Sequence, residues 1–170
     1  MSPETIALVE RVTRRLSDAS EDACLIAGPQ NEAAIAAAEE QLGCAFPPSY
    51  RQFLRRFGAI TIPTHLGLVH SFVGLDPKSE GYKGVVERTL GARVENRLAG
   101  HLVVVGMGAE FQEWFCLDLN DATDEGEYPI VLFDARDNAL DQKFYDSFGQ
   151  MLDEVLGFVE QNLDGDLSRD

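Results

Sequence analysis

The chain has 170 residues, 45% of them apolar, which is the size and composition of one globular domain with a core of its own. Its net charge of −15 argues against binding nucleic acid or an anionic membrane surface, and its longest apolar runs, at 102–105 and 130–133, fall far short of the roughly 20 residues needed to span a bilayer. The charge is uneven: residues 1–109 carry 12 acids and 11 bases, whereas residues 110–170 carry 17 acids and 3 bases.

In chain order, Ser2 can cap a first helix with Pro3 in its opening turn, and Ile6, Val9, Val12 and Leu16 recur at helical spacing, which predicts a helix to about Ser17. Residues 18–30 keep no period and contain Ala27-Gly28-Pro29, so 1–30 reads as a helix and linker packed on the main domain. Asn31 caps a second helix with the stripe Ile35, Ala38 and Leu42, stopped by Gly43. Phe46-Pro47-Pro48 opens a third, with Tyr50, Phe53, Leu54 and Phe57 as its buried stripe and Gly58 as its end. Arg51, Arg55 and Arg56 fall on its outer side, placed for solvent or for pairing with the acidic half of this molecule or of a second copy.

Residues 60–73 read as short strands cut by Pro63 and Gly67, the first at a sheet edge, and residues 85–98 as a helix with Val86, Leu90 and Val94 on its apolar face. A meander follows: strands at 102–105, 114–119, 130–133 and 140–144, the last two joined by a turn at 135–138 and all expected to be antiparallel neighbours. Ser147 and Gln150 form a capping box ahead of Phe148, Leu152, Val155, Leu156 and Val159, which predicts a final amphipathic helix, with the acidic tail 164–170 frayed beyond it. Residues 31–163 therefore read as one α+β domain, a mainly antiparallel sheet flanked by N-terminal and C-terminal helices.

The residues that could carry chemistry do not assemble locally. His65, His70 and His101 show neither an H-x3-H nor an H-E-x-x-H pattern, and Cys116 has no base nearby in sequence to activate it, so it reads as a packed thiol. The run 118–126 offers oxygens at Asp118, Asn120 and Asp124, yet Ala122 stands where a calcium loop needs a ligand and Thr123 where it needs glycine; an acidic hairpin tip is the reading. Gly106 and Gly108 lack the third glycine and the following helix of a dinucleotide loop and read as a turn. No metal, cofactor or catalytic group is expected. Cys24, Cys44 and Cys116 form no CxxC pair, and Ser2-Pro3-Glu4 opens neither a basic leader nor an apolar block, so a cytoplasmic location is expected.

The stretch Ile35-x3-Glu39-x2-Leu42-Gly43-x2-Phe46-Pro47-x2-Tyr50-x2-Phe53-Leu54-x3-Gly58 resembles the opening of the SUKH superfamily, which groups yeast Smi/Knr-type cell-wall assembly regulators with bacterial immunity proteins. The glycines at 106 and 108, the strand Trp114-Phe115-Cys116-Leu117-Asp118-Leu119, Pro129-Ile130-Val131 and Asp146-Ser147-Phe148-x3-Leu152 follow in matching order, so the likeness spans about residues 31–162. The first helix is an addition, and Gly58 stands alone where many relatives carry two or three glycines. The resemblance implies an α+β domain that binds a protein, and in bacterial members one that neutralises a toxin, often a nuclease or deaminase.

Combined with the charge after residue 109, the resemblance points to a non-catalytic domain whose partner is a basic toxin domain. Glu110, Glu113, Asp121, Asp124, Glu125 and Glu127 are the candidate partner-binding residues, as charges that speed association and pair with Lys or Arg. The alternatives are a regulatory or scaffold protein of the Smi/Knr type with no toxin partner, and acids that serve solubility alone.

Overall fold

A computed structural model describes residues 1–20, 23–75, 82–110 and 112–166. Its elements are α1 (Pro3–Ala19), β1 (Leu25–Ile26), α2 (Glu32–Leu42), α3 (Pro48–Arg56), β2 (Ile60–Thr61), β3 (Val69–Phe72), α4 (Val85–Glu95), β4 (Leu102–Gly108), β5 (Glu113–Asp118), β6 (Ile130–Asp134), β7 (Ala139–Tyr145) and α5 (Phe148–Asp166). The seven strands form one sheet in sequence order, every neighbouring pair antiparallel, so the protein is α+β.

Local chemistry sets the helices. Ser2 accepts from the Thr5 N–H at 3.0 Å with Pro3 in the first turn of α1, Asn31 accepts from the Ala34 N–H at 2.8 Å, and Ser147 accepts from the Gln150 N–H at 3.1 Å ahead of α5. At Gly58 a side chain is excluded twice over: its φ is +75°, and a Cβ would stand 2.0 Å from the Gly28 carbonyl oxygen. That close approach locks the 27–28 segment along the end of α3, where the Gly28 N–H donates to the Phe57 carbonyl at 2.9 Å.

The central strand β4 is buried along its whole length, with α4 packed on it and Met151 of α5 3.6 Å from where a Cβ at Gly106 would stand, whereas β7 is exposed except at Tyr145 and forms an edge. An aromatic cluster joins the early and late parts of the chain. Phe148 of α5 lies 4.8 Å from the Tyr50 ring and 5.0 Å from that of Phe53, with Phe72 of β3 at 6.4 Å, and the Tyr50 hydroxyl donates to the Val73 carbonyl at 2.8 Å.

Several details differ from the sequence reading. Two-residue β1 lies inside the expected linker and takes the edge, leaving β2 as an inner strand. Gly106 and Gly108 lie within β4 rather than in a turn: a Cβ at Gly106 would come 3.1 Å from Phe115 Cβ, and this crowding coincides with a bulge between Val104 and Gly106. Helix α4 ends at Glu95 and buries Val85, Thr89 and Ala92, leaving Leu90 39% and Val94 84% exposed. Thr89 earns that buried position through its hydroxyl, which accepts from the Val104 N–H at 3.0 Å beside the bulge. Helix α5 continues to Asp166, and 167–170 lie outside the described residues.

Candidate protein-binding surface

The six acids singled out from the sequence fall into two groups. Glu110 and Glu113 stand at the β4–β5 connection, whereas Asp121, Asp124, Glu125 and Glu127 lie on the loop from β5 to β6, at the other end of the six-residue strand β5. Five steps of about 3.3 Å separate the two ends by roughly 17 Å. Glu110 is exposed and accepts from Arg136 Nη2 at 3.1 Å, and Arg136 Nε donates to Gln112 Oε1 at 2.6 Å, which ties the β4–β5 connection to the β6–β7 turn. Glu113 is half-buried opposite Asp134. Asp121, Asp124 and Glu125 are exposed.

Glu127 differs from the other five. Helix α3 starts at Pro47-Pro48 and takes no cap from a side chain of its own N-cap residue. The Glu127 carboxylate supplies one from 78 residues away, accepting from the Ser49 N–H at 2.8 Å and from the Ser49 hydroxyl at 2.6 Å. A carboxylate there satisfies an orphan N–H and lies at the positive end of the helix dipole. The same residue closes its own loop, since the Thr123 N–H donates to the Glu127 carbonyl at 2.8 Å and the Glu127 N–H to the Thr123 hydroxyl at 3.1 Å. Glu127 thus fastens the acidic tip to α3, and Asp121, Asp124 and Glu125 are displayed from a held loop.

Beside this fastening lies a polar pocket of about 310 Å³ whose walls include Ser2, Ser49, Ser147, Glu125, Glu127 and Asp153. The first turns of α1, α3 and α5 meet here, and the Thr5 hydroxyl donates to Asp153 Oδ1 at 3.1 Å. Its lining holds three carboxylates and no lysine or arginine side chain. Such a lining suits an ammonium or guanidinium group from outside. Asp153 was not singled out from the sequence, because it sits on the helix α5 that reads as packing and meets Glu127 only through the fold.

The other candidates are placed as follows. Burial pushes the Cys24 thiol up to about 11 and Cys116 further in the same direction, which leaves both protonated and unreactive at neutral pH. His70 Nδ1 contacts the Ile62 carbonyl oxygen, and His101 Nε2 stands 3.8 Å from Asp118 Oδ1. Asp118 also accepts from the Asn120 N–H at 3.0 Å, an Asx turn that engages one of its carboxylate oxygens in the tip itself. Among the described residues no group of three or more His, Cys, Asp or Glu side chains is arranged to hold a metal ion. Among the described residues the arginines of α3 pair with acids of the first half of the same chain: Arg51 meets Glu39 at 2.5 Å and Glu32 at 2.7 Å, Arg55 also meets Glu32, and Arg56 meets Glu10 at 2.8 Å. These guanidinium groups, Arg55 first, hold the Glu32 carboxyl below its ordinary range.

No helix among the described residues is long and apolar enough to cross a membrane. A family model described as the SMI1 / KNR4 family (SUKH-1) matches residues 29–154. Comparison with curated proteins returns no match. Among solved structures, the crystal structure of a protein from Pseudomonas syringae pv. tomato is similar, with a TM-score of 0.57 and 18% identity over 87% of this chain and 98% of that one. At that identity the likeness speaks to the fold.

Proposed function

Because the chain belongs to the SMI1/KNR4 family (SUKH-1), we propose that it is a non-catalytic, cytoplasmic binding domain that neutralises a bacterial toxin by docking directly onto it. The partner is a basic toxin domain of the nuclease or deaminase type, whose cationic surface for nucleic acid is the feature an acidic protein can recognise. The observation that carries the reading is the acidic loop fastened through Glu127 beside a pocket of three carboxylates, with Asp121, Asp124 and Glu125 exposed around it. A held loop loses little conformational freedom on binding, so its charges act in full during association. Glu110 and Glu113, roughly 17 Å away along β5, fall within the footprint of a standard interface of about 800 Å² per partner.

The test is inhibition in a purified system: the toxin domain that this reading expects to be encoded beside this gene, its substrate, and this protein at increasing ratio. Loss of toxin activity at equimolar protein, recovered on raising the salt, is the expected result. Full toxin activity at excess protein would reject the reading, and recovery of the cell's own regulatory proteins in a native pull-down at both low and high salt would replace it with the scaffold role.

A further inference from the structure

Exposed apolar side chains scattered singly are ordinary on a protein surface, but a contiguous group beside charge is not. Leu68, Phe144 and Phe158, exposed by 47%, 37% and 56%, gather on one flank of α5. Leu68 and Phe158 form a cleft of about 230 Å³ with Tyr145 and Val155, and Glu154 stands in its wall. Phe144 adjoins it, its ring 6.0 Å from that of Tyr145 and edge-on to the buried Phe115 at 5.9 Å.

The strand geometry explains why two consecutive aromatics meet the same ring. Adjacent residues of a regular strand point to opposite faces. Here the register of β7 on β6 slips twice, with Ile130 opposite Tyr145 but Val131 opposite Lys143, and Phe133 opposite Leu140. These irregularities bring Phe144 and Tyr145 both against Phe115, at 5.9 and 6.4 Å, and extend the apolar floor to the edge of the sheet. Among the described residues no further strand of the sheet lies beyond β7 to cover it.

We infer that the cleft between α5 and the end of β7 receives one aliphatic or aromatic side chain of the protein partner, flanked on that partner by lysine or arginine. The inference rests on the proposed docking of a basic partner and supplies its apolar anchor. Charge complementarity selects this occupant. Glu154 lies in the cleft wall; Lys143, the cation of β7, is already held by Asp146 at 2.5 Å, and the Glu154 carboxylate makes its hydrogen bond with the neutral amide of Gln150. Asp153 and Glu154 are consecutive on α5, so one helix presents a carboxylate to the polar pocket and the next to the apolar cleft. A buried apolar anchor ringed by paired charges is the arrangement in which interface energy concentrates, and it acts on dissociation where long-range charge acts on association.

The experiment is an NMR titration of the full chain with two synthetic peptides, acetyl-Lys-Lys-Phe-Lys-Lys-amide and its Phe-to-Ser counterpart of equal charge. The phenylalanine peptide is expected to shift the amides of Tyr145, Glu154, Val155 and Phe158 saturably, and the serine peptide to leave them unmoved. Phe158→Ser, at an exposed position and with an unchanged melting temperature, is expected to abolish those shifts. Equal responses to both peptides, or shifts confined to residues 121–127, would overturn the anchor. A dimer in sedimentation that Phe158→Ser converts to monomer would overturn it too, by giving the cleft to a second copy. With the toxin domain, Phe158→Ser is expected to raise the dissociation rate at least tenfold with the association rate unchanged. A variant that dissociates at the wild-type rate would remove the anchor while leaving acidic docking intact.

Discussion

Residues 1–109 and the rest of the chain treat their charges in opposite ways. In the first region acids and bases are nearly balanced, and the arginines of α3 close onto Glu10, Glu32 and Glu39 of the helices around them. In the second, 17 acids face 3 bases, and the tip acids Asp121, Asp124 and Glu125 stand exposed on a loop held by Glu127. Charge that is matched inside the fold orders helices, whereas charge left unmatched makes a field that reaches about 8 Å at physiological salt and acts on something outside. On the proposed function, the first region has a structural part and the second a part in recognition.

The two regions share one core, and breaking the joint should have the largest effect. Phe148→Ala removes the ring that α5 inserts among Tyr50, Phe53 and Phe72 and is expected to cost about 3–5 kcal/mol in urea unfolding, with a single transition retained. Separate transitions for the two regions would show that they are not one cooperative unit. Next comes the acid that crosses the divide. Glu127→Ala should destabilise by about 1–3 kcal/mol, whereas Asp124→Asn should stay within about 0.5 kcal/mol. Equal costs for the two would erase the distinction between the fastener and the displayed charges.

A smaller effect is expected at alkaline pH. The folded Cys24 thiol titrates at about 11 against an ordinary 9.0, so its contribution to stability is complete below pH 9 and is lost as the pH rises from there towards 11. Melting temperature followed from pH 7 to 11 should be level and then fall, and Cys24→Ala should fall less steeply over the same window. Smallest of all, Arg56→Ala removes an exposed pair with Glu10 and should cost no more than about 1 kcal/mol without altering partner binding.

Much of this was legible in the sequence, because it rests on short-range chemistry. The caps at Ser2, Asn31 and Ser147, the proline corner at Pro47-Pro48 and the apolar stripes of α2, α3 and α5 are written within a few residues of where they act. Helix α4 misled because Val86, Leu90 and Val94 offer the stronger apolar period, while the buried face includes a threonine whose value lies in the Val104 N–H it satisfies. Strand β1 is too short to carry a pattern, and the Gly58–Gly28 approach that accompanies its pairing is a tertiary contact. At the proposed binding surface the residue types were visible but their structural settings were not. Glu127 and Ser49 are 78 positions apart, Asp153 joins them from α5, and the slip in β7 that exposes Phe144 is set by pairing with β6.

The most direct test of the second region's role is the association rate with the purified toxin domain, measured by stopped flow at ionic strengths from about 0.02 to 0.5 M. The account predicts a rate that falls steeply with salt for the wild type, and a rate at least tenfold lower and nearly salt-independent for the triple variant Asp121→Lys, Asp124→Lys, Glu125→Lys. A triple variant that associates at the wild-type rate with the wild-type salt dependence would contradict it, and the acids of this loop would then serve the protein's solubility alone.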